Sequence, residues 1–131
     1  MRILVVDDDY VSRTKLKKTV SKYGDVDTAP SGEIAFQMFD VAHKENVPYA
    51  LLTVDVEMPG MHGQDLVKKI RDAETGKALQ DNDRAKILMV TIKKDAHTVA
   101  SSYYEGCEGY VAKPVTPESV EQALAAIGIK V

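Results

Sequence analysis

Four places in this 131-residue chain carry side chains that can do chemistry together. Asp7, Asp8 and Asp9 follow the apolar run Ile3–Val6, and Asp55, with Glu57 two residues on, follows Ala50–Val54. Thr91 follows Ile87–Val90, and Lys113-Pro114 follows Gly109–Ala112. Carboxylates crowded into one place repel, so they must either protonate or bind a cation. Oxygen ligands without His or Cys favour Mg²⁺ over zinc or copper. Mg²⁺ keeps several waters and is usually held by one or two carboxylates plus a phosphate, which makes a phosphoryl group the expected missing ligand. A carboxylate can also be the nucleophile in phosphoryl transfer, giving an aspartyl-phosphate. The Lys113 ammonium and the Thr91 hydroxyl would then contact phosphoryl oxygens, with Mg²⁺ offsetting the remaining charge.

Such chemistry requires that the four places meet, and the hydrophobic pattern says how. Ile3–Val6, Ala50–Val54 and Ile87–Val90 are short, almost wholly apolar and rich in branched side chains, as strands covered on both faces of a parallel sheet are. Asp25–Ala29 and Gly109–Ala112 are weaker strand candidates. Between them lie five segments with helical spacing. Leu16, Val20 and Tyr23 form one stripe; Ser31 caps a second helix whose apolar face is Ile34, Ala35, Met38, Phe39 and Ala42. Leu66, Val67 and Ile70 mark a third helix, and a fourth is expected from Asp95 to about Glu105, stopped by Gly106. The fifth starts at Thr116-Pro117 and buries Val120, Ala123, Leu124 and Ile127. Asp72–Arg84 reads as the end of the third helix plus a long exposed loop. Five alternations of strand and helix predict a single doubly wound α/β domain with a parallel sheet. Right-handed crossovers place every strand's carboxyl end on one edge, where ligands bind in such sheets. Five carboxylates, a hydroxyl and an ammonium are therefore expected at that edge.

Composition narrows the function. Acids outnumber bases by 20 to 17, which excludes a globally basic protein that coats nucleic acid. Hydrophobic residues at 44% and charged residues at 28% are ordinary for a folded domain. Cys107 is the one cysteine, so no intrachain disulfide forms, and no Cys/His metal spacing is present. The run Ile3–Val6 is too short for a signal-peptide core or a membrane span. A cytoplasmic address without membrane insertion is expected.

In their order the four motifs resemble the receiver domain of bacterial two-component response regulators. They read Ile3-Leu4-Val5-Val6-Asp7-Asp8-Asp9, Val54-Asp55-Val56-Glu57-Met58-Pro59-Gly60-Met61-His62-Gly63, Met89-Val90-Thr91 and Gly109-Tyr110-Val111-Ala112-Lys113-Pro114. The likeness extends from Arg2 to about Ile127. It implies a flavodoxin-like, five-stranded parallel sheet in the order 2-1-3-4-5 with five helices. Asp55 would be the phosphoacceptor, taking its phosphoryl group from a phosphohistidine on a sensor histidine kinase or histidine phosphotransfer protein. Asp8 and Asp55 would ligate Mg²⁺ directly, Asp7 directly or through water, and Glu57 through its backbone carbonyl. Lys113 would pair with the phosphoryl group, ahead of a cis bond to Pro114. Thr91 and Tyr110 would be the switch pair, altering the affinity of the surface made by the fourth helix, fifth strand and fifth helix for a downstream effector protein. The domain would assist its own phosphorylation and dephosphorylation while acting mainly as a signalling switch. One receiver domain over 1–131, with no separate output domain and no direct nucleic-acid contact, is expected. The alternative is a phosphorylation-independent interaction module, which would normally have lost the acids or the lysine.

Other residues admit a bland reading and a sharper one. Ile92 stands where the family usually has Ala or Gly; it is either a tolerated loop side chain or a group that narrows access to the acyl phosphate. Glu57 and Lys93 occupy the two variable positions flanking the site and are hypothesised to approach each other over the phosphoryl group. His62, His43 and His97 read as surface residues, and Cys107 as a small packed side chain. Tyr103 divides evenly between core packing and partner contact, with one of Tyr103 and Tyr104 facing outward. Arg13, Lys15, Lys17, Lys18 and Lys22 read mainly as a solvated helix face, although Tyr10 and Val11 beside Asp8 are candidates for kinase contact. A flavodoxin is disfavoured because three aspartates replace its phosphate loop. A haloacid-dehalogenase-type phosphatase is disfavoured because Asp7-Asp8-Asp9-Tyr10-Val11 lacks a Ser or Thr hydroxyl after the acids, and no cap domain is present. The Asp72–Asp83 stretch lacks the ligand spacing of an EF-hand.

Overall fold

The computed structural model describes residues 1–92 and 106–130. Its elements alternate as β1 (Arg2–Val6), α1 (Tyr10–Val20), β2 (Asp25–Ala29), α2 (Gly32–Lys44), β3 (Leu51–Asp55), α3 (Gly63–Gly76), β4 (Lys86–Thr91), β5 (Gly109–Ala112) and α4 (Pro117–Ala126). All four strand pairings are parallel and the sheet runs β2-β1-β3-β4-β5. The five strands fall within a residue or so of their expected positions. Four α-helices are present among the described residues. The fifth that the sequence leads one to expect, Asp95 to about Glu105, lies outside them, as do Lys93, His97, Tyr103 and Tyr104.

Each central strand splits its side chains between two cores. Leu4 and Val6 of β1, Leu52 and Val54 of β3, and Ile87 and Met89 of β4 face Ala35, Phe39, Leu66 and Ile70 of α2 and α3. Ile3, Val5, Leu51, Leu88 and Val90 face Leu16 and Val20 of α1 and Val120 and Leu124 of α4. This two-sided covering is why those strands are continuously apolar in sequence. Ile34 departs from expectation. It is exposed, because Ala35, Phe39 and Ala42 already form the buried stripe of α2 and β2, the edge strand, leaves nothing beyond to cover it.

Helix starts follow local chemistry. Ser31 accepts from the Ile34 amide, and Thr116 and Ser119 cap α4 reciprocally, with Pro117 in its first turn. The Asp72–Arg84 stretch is less of a loop than its polarity suggests. Helix α3 runs to Gly76, Asp81–Asp83 forms a short 3₁₀ turn, and Glu74 is fully buried. Arg71 explains that burial. Its guanidinium donates to Glu74 Oε1 at 2.6 Å, Glu108 Oε1 at 2.8 Å, and the carbonyls of Ala85 at 2.8 Å and Gly106 at 3.0 Å. Glu74 Oε2 in turn accepts from the Ala85 amide at 2.7 Å. The cluster ties α3 to the starts of β4 and β5, at the sheet edge opposite the carboxyl ends.

Removing one member of a buried ion pair leaves its partner's charge uncompensated, at a cost of about 3–5 kcal/mol. Arg71→Met is therefore expected to lower unfolding stability by about 3 kcal/mol in chemical denaturation, roughly the low end of that range. A loss below about 1 kcal/mol, as an exposed pair gives, would show that the cluster is not a structural tie.

Candidate functional site

The carboxyl ends of β1, β3, β4 and β5 deliver the expected side chains to one edge. Asp7 continues the β1–β2 ladder through its amide to Ala29 O at 3.1 Å, which fixes its carboxylate at the strand end. Asp7 Oδ1 accepts from the Asp9 amide at 2.9 Å. Asp55 is the last residue of β3, and its Oδ1 accepts from the Glu57 amide at 3.2 Å. The Lys113 amide donates to Thr91 O at 2.7 Å, carrying the β4–β5 pairing past the strand ends. That places Lys113 Nζ 3.4 Å from Asp55 Oδ2 and 3.6 Å from Asp7 Oδ2. The Lys113-Pro114 bond is cis, as the resemblance implied.

The loop after Asp55 is held from beneath. Gly63 is the first residue of α3 and its amide donates to Val56 O at 3.0 Å. A Cβ at this position would lie 2.4 Å from Asp55 O, so only glycine lets the helix approach the end of β3 so closely. The Met61 amide donates to Glu33 Oε1 at 3.1 Å, tying the loop to the first turn of α2.

Of the five carboxylates expected at the edge, three converge: each of Asp7, Asp8 and Asp55 offers an oxygen, all within 4.8 Å of one another. Asp9 is drawn away as the N-cap of α1, its Oδ2 accepting from the Ser12 amide at 2.8 Å, and this hydrogen bond lowers its pKa. Glu57 has an exposed side chain at the site's margin. Thr91 is buried at the end of β4, whereas Tyr110 on β5 is 39% exposed, its ring beside a groove of about 520 Å³ between β5 and α4. The two proposed switch residues are thus on adjacent strands, Thr91 paired with Ala112 and Tyr110 with Met89.

A cavity of about 310 Å³ opens over Asp7 and Lys113 and is bordered by Lys15, Ile92 and Pro114. Ile92 is 62% exposed at this rim. His62 is exposed, His43 is half-buried with its ring edge on Phe39, and Cys107 packs into the core, where burial pushes its thiol up to about 11. Arg13 was expected on a solvated face. It is half-buried, and its guanidinium donates to Asp7 O at 2.9 Å, bracing the strand end behind the acids. Nothing in its sequence context separates it from the neighbouring lysines.

Electrostatics confirm the crowding. Burial, followed by the charge of Asp7, raises the Asp55 carboxyl from 3.8 to about 6, against the opposing pull of Lys113. Burial works against the Lys113 charge, but the attraction of Asp55 and Asp7 outweighs it and raises the lysine above its ordinary value. One ammonium facing three carboxylates leaves room for a cation. The donor set fits Mg²⁺: all oxygens, no soft ligand, and three carboxylates each offering an oxygen within 4.8 Å of the others.

Comparison with known proteins agrees with this geometry. Residues 3–125 match the family described as the response regulator receiver domain. Chemotaxis protein CheY1 of Helicobacter pylori is 33% identical over 129 residues, spanning 97% of this chain and 96% of its own. A putative response regulator from Chloroflexus aurantiacus superposes with a TM-score of 0.75 at 31% identity, covering 96% of both chains. The chemotaxis response regulator CheY4 of Vibrio cholerae does so with a TM-score of 0.77 at 27% identity, covering 96% of this chain and 97% of that one. Among the described residues no helix is long and apolar enough to cross a membrane.

The raised Asp55 pKa sets a stability expectation for the metal-free protein. Between about pH 4 and 6 the folded state holds a proton that the unfolded chain has released, so this group's contribution to stability falls as pH rises through that window. Asp55→Asn removes the cost. In the presence of chelator the variant is expected to gain on the wild type by on the order of 2 kcal/mol between about pH 4.5 and 7. Parallel pH–stability curves for the two proteins would contradict the assignment.

Proposed function

The chain belongs to the family of response regulator receiver domains, and on that footing we propose that Asp55 is its phosphoacceptor and that Asp7, Asp8, Thr91 and Lys113 serve it. The observation that carries this reading is the buried Asp55 carboxylate at the end of β3, held 3.4 Å from Lys113 with two further acids beside it. A carboxylate oxygen of Asp55 bonds to phosphorus while the P–N bond of a donor phosphohistidine breaks, its electron pair leaving on the donor's imidazole nitrogen. The Lys113 ammonium meets the arriving phosphoryl oxygens, and its link to Thr91 O keeps it in place. Asp7, Asp8, Asp55 and the Glu57 carbonyl would hold Mg²⁺, which when bound supplies the charge neutralisation that crowded carboxylates and a phosphoryl dianion require. The same groups would assist loss of the phosphoryl group to water.

The output follows from the switch residues. Thr91 is buried beside the site, so a phosphoryl group on Asp55 gives its hydroxyl a new acceptor. Tyr110 stands outward and can turn inward as that hydroxyl moves. The surface that responds includes β5, α4 and the expected helix over 95–105, and its partner would be a downstream effector protein rather than nucleic acid. The donor would be a sensor histidine kinase or histidine phosphotransfer protein in the cytoplasm, and residues 1–131 would act as one receiver domain.

Incubation with phosphoramidate and Mg²⁺, followed by intact-mass measurement, tests the assignment. One phosphoryl adduct is expected, absent in Asp55→Asn and in chelator, and formed at least tenfold more slowly in Lys113→Ala. An adduct that survives Asp55→Asn, or no adduct on the wild type, would sink it.

A further inference from the structure

The loop from Val56 to His62 joins β3 to α3 and carries the backbone carbonyl of Glu57. Its first part is anchored near the acids. The Val56 amide donates to Val90 O at 3.0 Å, and the Glu57 amide to Asp55 Oδ1 at 3.2 Å. Met58 buries its side chain in the core that α2 and α3 cover. Pro59 fixes its own φ and restricts the residue before it, so the segment from Glu57 to Pro59 moves as one piece. Gly60 is the joint at its end, with φ at +77°, a region that glycine enters without steric cost. Past the joint the chain is pinned to α2. The Met61 amide donates to Glu33 Oε1 at 3.1 Å, and the Met61 side chain lies on Gly32, where a Cβ would come within 2.9 Å of its sulfur. Glu33 Oε1 also sits beside Gly60, 3.4 Å from where a Cβ would stand. Glu33 lies in the first turn of α2, whose dipole favours its charge, and a carboxylate bonded to a backbone amide is among the stronger hydrogen bonds.

We propose that Glu33 is a positioning residue for the metal centre: by pinning Met61 to α2 it locks the Gly60 joint and keeps the Glu57 carbonyl in place as a ligand. The inference rests on the reading of Glu57 as a carbonyl ligand of Mg²⁺ and adds the residue that holds that carbonyl still. Glu33 lies outside the converging set of Asp7, Asp8 and Asp55, so it acts through the loop and not on the ion. The bond reaches across 28 residues of sequence to the helix that starts where β2 ends. Ala29, the last residue of β2, accepts the Asp7 amide at 3.1 Å. Glu33 thereby ties the loop after Asp55 to the strand end that fixes Asp7, and ligands carried on β1 and β3 keep one spacing. Mg²⁺ demands near-ideal octahedral geometry, so a ligand free to wander weakens its binding. Partners that orient a ligand from behind count strongly in metal affinity for this reason. Glu33 is itself exposed, so truncating it opens no cavity in the core and its loss reports on the tether.

The readout is the Mg²⁺ affinity of the full chain without any phosphodonor, followed through the Mg²⁺-dependent shifts of its amide resonances. Glu33→Ala removes the acceptor and is expected to weaken Mg²⁺ binding about fivefold, the effect of losing one hydrogen bond. Glu33→Gln keeps an acceptor oxygen and should stay within about twofold of wild type. In chelator, hydrogen exchange at the Met61 amide should quicken about tenfold in Glu33→Ala and hardly at all in Glu33→Gln. Unchanged affinity in Glu33→Ala would overturn the positioning role. So would an equal loss in both variants, which would show that the charge acts on the ion through space. A wild-type chain that binds no Mg²⁺ at millimolar concentration would instead remove the metal centre itself, and this inference with it.

Discussion

Three carboxylates share one corner of this molecule with a single ammonium, and most of the fold can be understood as what it takes to hold them there. Oxygens within 4.8 Å of one another repel by on the order of 3 kcal/mol per pair at an effective dielectric of about 20. No loop would keep such an arrangement unaided. Here Asp7 is locked by the β1–β2 ladder and by the Asp9 amide, Asp55 by the end of β3 and the Glu57 amide, and Lys113 by its pairing with Thr91. The strands themselves are fixed by apolar layers on both faces. The stability of the cores is thus set against an edge where crowded carboxylates repel one another. That imbalance is what makes the edge responsive.

The parts of this design that were legible in the sequence are those governed by short-range rules. Ile3–Val6 and Ile87–Val90 could be read as two-faced strands because every residue in them is apolar, and the helix starts at Ser31 and Thr116 follow from capping chemistry. The placement of the candidate site residues followed because a parallel sheet sends every strand's carboxyl end to the same edge. What escaped depended on three-dimensional competition for hydrogen bonds. Asp9 reads in sequence like Asp7 and Asp8, yet the unsatisfied Ser12 amide claims it for the helix. Arg13 resembles its lysine neighbours until the Asp7 carbonyl is seen to need a donor. Glu74 and Arg71 look like ordinary surface charges on a polar stretch, and only the folded chain shows Ala85, Gly106 and Glu108 arriving from elsewhere to bury them.

The Arg71 cluster and the acid cluster lie at opposite edges of the same sheet, and their composition differs in a telling way. Around Arg71 every guanidinium donor finds an acceptor, and the two carboxylates it holds, Glu74 and Glu108, also accept the backbone amides of Ala85 and Ile87. Around Asp55 the charge is left unbalanced. One edge is built to stay as it is; the other is built to receive something.

Direct observation of the Asp55 carboxyl by site-resolved carbon NMR, titrated with and without Mg²⁺, addresses this imbalance most closely. The account predicts a midpoint near 6 in chelator and a marked downward displacement when Mg²⁺ is present, because a bound cation reverses the field that burial and Asp7 create. A midpoint near the ordinary 3.8 that is indifferent to Mg²⁺ would contradict it.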